Sequence, residues 1–307
     1  MLKRIASSVG LVIGLLGVAF VTRELVRDRE VVLAALSGAR LASLVPAVLL
    51  GLASMTSIGL VWWRCLRVLD ADLGMFDALR RYFIGQLGKY VPGGIWPVLG
   101  RAEMARRGGV SGPAAYGSTV LSLGLTYLAA ILVAAGALVL GAGSPTPMSL
   151  AAFGLLPLGL VVLHPSILRH LLGVLRRISG RELAVAVPPW RTSVKLLLAH
   201  VPAWIGISLA TWLVAIAVAP GGADPFNLIF ATTVSWLIGF LAIGVPGGIG
   251  VREAVFIAAA TSIAGVGVAA AVAVVARALF IIVDVSGAAG TTLTALLAGS
   301  RSNETPP

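Results

Sequence analysis

"IGQLGKYVPGGI" at residues 84–95 and "IGFLAIGVPGGI" at residues 238–249 match at eight of twelve positions, at an offset of 154. Each sits inside a longer apolar stretch, 74–107 and 226–262, and each carries Pro-Gly-Gly near its middle. Proline has no N–H to donate and glycine has no side chain to shield the backbone, so PGG breaks a helix. What the break costs depends on the solvent around it.

That solvent is mostly lipid. The 307-residue chain is 58% hydrophobic and only 11% charged, with a mean hydropathy of +1.01. A soluble domain carries about 25% charged residues, and this chain has too few to wet a surface. It reads as an all-α polytopic membrane protein. The net charge of +11 would suggest nucleic acid in a soluble chain. In a membrane chain it marks cytoplasmic loops and contact with anionic headgroups, so no nucleic-acid partner is expected. The single cysteine, Cys65, excludes an intrachain disulfide and a cysteine-built metal site. His164, His170 and His200 lack metal-ligand spacing. Neither a metal nor a cofactor is expected.

A span needs about 20 apolar residues. Six stretches meet or approach that length: 6–22, 43–63, 114–140, 147–163, 196–219 and 266–296. The first follows Lys3 and Arg4 like a secretory signal, but no clear small-x-small site precedes "TREL", so it reads as a retained span. Segments 64–107 and 164–195 hold more than half of the basic residues, whereas "GAGSPTP" (141–147) has no charge and "APGGADP" (219–225) has only Asp224. The positive-inside rule puts the basic segments and the N-terminus in the cytoplasm and the bare loops outside. Residues 23–40 then fall outside, their four arginines offset by Glu24, Asp28 and Glu30.

The offset of 154 also carries span 43–63 onto 197–217 and span 114–140 onto 268–294. A duplication follows, with repeat one at about 1–145, repeat two at about 146–300, and 301–307 as a disordered tail, all in one integral membrane domain. Each half holds three spans and one broken element. If each broken element is a hairpin that re-enters on its own side, each half crosses an odd number of times and the halves are inverted. Inverted repeats with interrupted helices near the midplane are a transporter architecture. The alternative is that 226–244 simply spans.

In hydrocarbon, bare backbone groups cost several kcal/mol each unless protein or water satisfies them, so broken helix is tolerated where it lines a cavity. A helix starting after the break points free N–H groups and its positive dipole end at that cavity, which favours an anion. The first motif contributes Pro92, Gly93 and Gly94, the second Pro246, Gly247 and Gly248. Before the first break, Tyr82, Gln86 and Lys89 fall within about 60° on a helix, with Arg81 on the neighbouring strip. These side chains face either a cavity or the cytoplasm. Arg101 follows the first break, and Arg252 and Glu253 follow the second. Glu253 also suits simple dipole stabilisation of a first helical turn. Arg277 and Asp284 lie seven residues apart on the last span, and ionisable residues there need partners. Arg277 is expected to pair with Glu253 or Asp284. No nucleophile elbow or phosphate loop is present, so no enzyme is expected; a transferase would have to use Glu103 or Glu253.

"RRYFIGQLGKYVPGGIWPVLGRAEMARRGGVS" (80–111) with "GVPGGIGVREAVF" (244–256) resembles the transmembrane region of the lysylphosphatidylglycerol synthase/flippase family. By motif position the resemblance carries over Gln86, Tyr90, Pro92, Gly93 and Gly94, then Pro246, Gly247, Gly248, Arg252 and Glu253. It implies a flippase-like membrane domain handling anionic or lipid-linked headgroups. Synthases of the family continue into a soluble aminoacyl-transfer domain; with "SRSNETPP" as the last residues, a stand-alone membrane domain without lipid aminoacylation is expected. The leading expectation is a lipid translocator of a bacterial inner membrane, taking an anionic phospholipid or a polyprenyl-phosphate-linked lipid. The alternative is a non-transporting membrane partner that presents such a lipid to a glycosyltransferase or similar enzyme.

Overall fold

A computed structural model describes residues 29–38, 41–91, 96–141, 187–218, 223–242 and 245–302, with shorter stretches between 19 and 27 and between 161 and 170. Among the described residues there are helices and no strands. In chain order they are α1 (Arg29–Ser37), α2 (Leu44–Val68), α3 (Met75–Leu87), α4 (Trp96–Arg107), α5 (Gly112–Gly141), α6 (Trp190–Val218), α7 (Pro225–Leu241), α8 (Val251–Ala259) and α9 (Val266–Ser302).

Four are long and apolar enough to cross a membrane: Leu44–Val68, Gly112–Gly141, Trp190–Val218 and Val266–Leu297. The shortest has 25 residues, or about 38 Å at 1.5 Å per residue, more than the roughly 30 Å of hydrocarbon. They coincide with the predicted spans 43–63, 114–140, 196–219 and 266–296. The predicted spans 6–22 and 147–163 lie outside the described residues. Helix α9 runs through Ser302, two residues into the predicted tail, and α1 occupies part of the predicted outer loop 23–40.

Both motif-bearing stretches are antiparallel helical hairpins. In the first, Gly88 abuts Trp96, Gly85 abuts Arg101, and the Arg81 Nε donates to the Met104 carbonyl at 3.0 Å. In the second, Gly239 abuts Arg252, and the Asn227 amide donates to the Ala259 carbonyl at 3.1 Å. Helix α7 starts sharply because Pro225 occupies its first turn and the Asp224 carboxylate caps the amides of Phe226 and Asn227. At 17 residues it is about 26 Å long, shorter than each of the four long helices.

The same order therefore occurs twice: long helix, hairpin, long helix. The two series pack on each other as well as within themselves. Helix α2 lies against α6, α3 of the first hairpin against α9, and α7 of the second hairpin against α5. Glycines let these helices close in. Gly51 of α2 faces Val283 and Phe280 of α9, Gly59 faces Leu79 and Tyr82 of α3, and Gly206 of α6 faces Ser54 of α2. Indole N–H groups then pin carbonyls: Trp204 donates to Thr126 at 2.8 Å and Trp63 to Leu73 at 2.9 Å.

The second break is the tightest backbone approach. Gly248 has φ +65°, and a Cβ there would stand 2.7 Å from the Gly239 carbonyl oxygen and 2.9 Å from its Cα. Gly248→Ala combines a left-handed backbone with a backbone clash and is expected to cost about 2 kcal/mol or more. Gly124 of α5 has nothing within 4 Å of the same position, so Gly124→Ala is expected to be neutral or stabilising. Melting temperatures in detergent check both: Gly248→Ala falls by several degrees, and Gly124→Ala does not fall.

Candidate functional site

Where the two hairpins end, their backbones touch. Gly247, at φ +55°, brings its α-carbon face to within 3.4 Å of the Lys89 carbonyl oxygen, measured from an added Cβ. Lys89 and Tyr90 lie in a 3-10 turn after α3, and Pro246–Gly248 form another before α8. Lys89 in the first turn, and Glu253 in the first turn of α8 just past the second, take their ion-pair partners from α9.

From the first turn, the Lys89 ammonium lies 2.5 Å from Asp284 Oδ2, and the Tyr90 hydroxyl donates to the same oxygen at 2.6 Å. Asp284 is fully buried, and its Oδ1 has no hydrogen-bond partner among the described residues. Just past the second turn, Gly250 N–H donates to Glu253 Oε2 at 2.6 Å, capping α8, while Arg277 pairs with Oε1 of the same carboxylate. Arg277 also donates to the Gly247 carbonyl at 3.3 Å. Helix α9 thus holds one hairpin tip through an anion and the other through a cation, two helical turns apart.

Beside these pairs is a cavity of about 380 Å³, lined by residues from each of α2 to α9. This is the scale of a small-molecule or headgroup site. Four cations line it: Lys89, Arg101, Arg252 and Arg277; among its lining residues there is no Asp or Glu. The Arg101 guanidinium, on a residue only 7% exposed, lies 4.8 Å from the Trp62 ring centre and 5.4 Å from that of Tyr82. The Arg252 guanidinium lies 3.7 Å from the Trp236 ring centre and 5.9 Å from that of Phe280. Such cation–π contacts contribute about 0.5–2 kcal/mol each. Gln86 donates to the Tyr82 hydroxyl at 2.7 Å, and Ser122 contributes a buried hydroxyl with no hydrogen-bond partner among the described residues.

Of the residues singled out from the sequence, Gln86, Lys89, Tyr90, Arg101, Gly247, Gly248, Arg252 and Arg277 line this cavity. Glu253 and Asp284 stand behind it as counter-ions. Pro246 opens the second turn without lining the cavity. Pro92, Gly93 and Gly94 lie outside the described residues. Arg81 is a correction: it does not line the cavity but ties α3 to the Met104 carbonyl and pairs with Asp77 at 3.3 Å. Arg277 takes Glu253, one of its two expected partners, and Asp284, the other, is paired with Lys89. The aromatic walls, Trp204, Trp236 and Phe280, carry no motif in the sequence; a tryptophan inside the apolar stretch 226–262, at 236, was the available signal. Glu103 lies on an exposed cluster, where hydrogen bonds from Arg106 and then Arg107 hold its carboxyl down at about 2.

Four long apolar helices, two helical hairpins and a cationic cavity define a polytopic α-helical membrane protein. The chain belongs to the lysylphosphatidylglycerol synthase TM region family, whose model matches residues 7–286. No curated protein matches the sequence.

Removing one partner of a buried ion pair costs about 3–5 kcal/mol, while replacing both with apolar groups costs far less. Lys89→Met is therefore expected to destabilise strongly, and Lys89→Met combined with Asp284→Leu to recover most of the loss. Unfolding midpoints in detergent measure the coupling; strictly additive losses would show that the two charges act independently.

Proposed function

We propose that this protein is a translocator for lipids with anionic or phosphate-linked headgroups, in a bacterial inner membrane with its N-terminus on the cytoplasmic side. The observation that carries the proposal is the cavity itself: four cations and no carboxylate along its lining, at the meeting point of two helix breaks. A headgroup enters this space while acyl or prenyl tails stay in the bilayer. The guanidiniums of Arg101 and Arg252 and the ammonium of Lys89 offer charge-assisted donors to phosphate oxygens.

Movement across the bilayer follows from the duplication. In this reading the two halves are inverted, each hairpin re-enters from its own side, and rocking one half against the other opens the cavity alternately. The Lys89–Asp284 and Arg277–Glu253 pairs are the latches that rocking exchanges. The protein acts by binding and moving lipid, with no catalytic step assigned to Glu103 or Glu253.

Reconstitution in vesicles with headgroup-labelled phosphatidylglycerol tests this. Wild-type protein is expected to move label between leaflets faster than empty vesicles, and Arg252→Ala to slow that movement at least tenfold. Equal rates for wild-type and empty vesicles would end the translocator reading. Cys65 is buried, so a Ser122→Cys reporter placed on the cavity wall is expected to label from both sides of the membrane. Labelling from one side only would instead favour a protein that presents lipid to an enzyme.

A further inference from the structure

Two of the cavity's four cations are already neutralised and two are not. Lys89 has Asp284 and Arg277 has Glu253. Arg101 and Arg252 form no direct ion pair among the described residues and rest on aromatic faces, so the four cations face only two carboxylates, Asp284 and Glu253. An aromatic ring holds a guanidinium in place without cancelling its charge. A buried cation without a counter-charge is expensive, and this surplus is twofold.

We infer that the cavity selects a lipid whose headgroup carries two negative charges, a terminal phosphomonoester, over singly charged phosphodiester lipids. The inference rests on the lipid-binding reading above and specifies its substrate class. A dianion neutralises both free guanidiniums. A phosphodiester leaves one positive charge behind, a zwitterion leaves two, and a cationic headgroup adds to the excess. A terminal phosphate also has three unesterified oxygens, which suit the forked donor geometry of arginine better than the two of a diester.

Binding of short-chain lipids to the full chain in detergent at pH 8, where a phosphomonoester is doubly ionised, tests the charge count. Tryptophan fluorescence supplies the signal, since Trp204 and Trp236 line the cavity. Dioctanoyl phosphatidate is expected to bind at least tenfold more tightly than dioctanoyl phosphatidylglycerol, and phosphatidylcholine more weakly than either. Arg101→Gln and Arg252→Gln are each expected to reduce the phosphatidate preference several-fold, and Arg252→Lys to retain most of it. Equal affinity of the wild type for phosphatidate and phosphatidylglycerol would overturn the dianion while leaving an anionic-lipid cavity standing. No binding of either beyond phosphatidylcholine would overturn both. Displacement of phosphatidate by an equal concentration of glycerol 3-phosphate would uphold the dianion but assign it to a soluble ester. The wild-type comparison decides the question even where a variant fails to fold.

Discussion

Asp284 is sealed from solvent on the last long helix, and a carboxylate in that position cannot stay ionised without a close partner. Its partners come from far along the chain: Lys89 and Tyr90, at the end of the first hairpin. The chain there has just left its helix, and nothing in the local backbone specifies where the tip should go. The ion pair does. Seven residues earlier on the same helix, Arg277 performs the mirror task for the second hairpin, gripping Glu253 and the Gly247 carbonyl. Helix α9 is consequently coupled to both breaks. A shift of α9 relative to either hairpin must lengthen one of these pairs, and each costs several kcal/mol if broken without replacement.

The packing of the hairpins gives that coupling a frame. Helix α3 lies on α9 and also on α2, and α7 lies on α5 and also on α6, so each hairpin is seated between long helices of both halves. A hairpin seated on one half alone would move with that half. Seated on both, each hairpin is part of the interface between the halves, and any relative motion of the halves would reach the cavity wall. Gly287 of α9 against Phe83 and Gly141 of α5 against Phe226 keep the α3 and α7 seats close, and the short contacts leave discrete arrangements rather than a continuous slide.

Hydropathy made the long helices readable, because nothing else explains so many consecutive apolar residues, and four of them fall where the pattern put them. The breaks were readable because PGG is chemically incompatible with a helix interior. Arg277 with Glu253 was readable too, since an ionisable group in a span needs a partner and few are near. Asp284 was harder: its own helix offered Arg277 two turns away, and a partner 195 positions earlier leaves no periodic trace. Arg81 shows the limit of a helical wheel. It lies on a strip adjoining that of Gln86 and Lys89, but the antiparallel return of the chain puts the Met104 carbonyl against it. Arg101 was named only for its place after the first break. It sits in a charged helix that resembles a solvated surface, and its burial depends on Trp62 and Tyr82 of two other helices.

The cavity therefore holds two kinds of cation with different work. Lys89 and Arg277 are committed to carboxylates, so they fix geometry and have little charge left for a ligand. Arg101 and Arg252 rest on aromatic faces, which position them while leaving their charge and donors uncompensated. The distinction matters for anything that must let go of what it binds. A site made wholly of free cations would hold a phosphate too firmly to release it, and one made wholly of salt bridges would not attract it. Setting two aromatic-held guanidiniums among two ion pairs gives an intermediate field. On the translocator reading proposed above, its strength changes when the pairs exchange partners, because a lysine or arginine released from its carboxylate joins the free set. Binding strength and conformation are then linked through the same side chains, without any further switch in the fold.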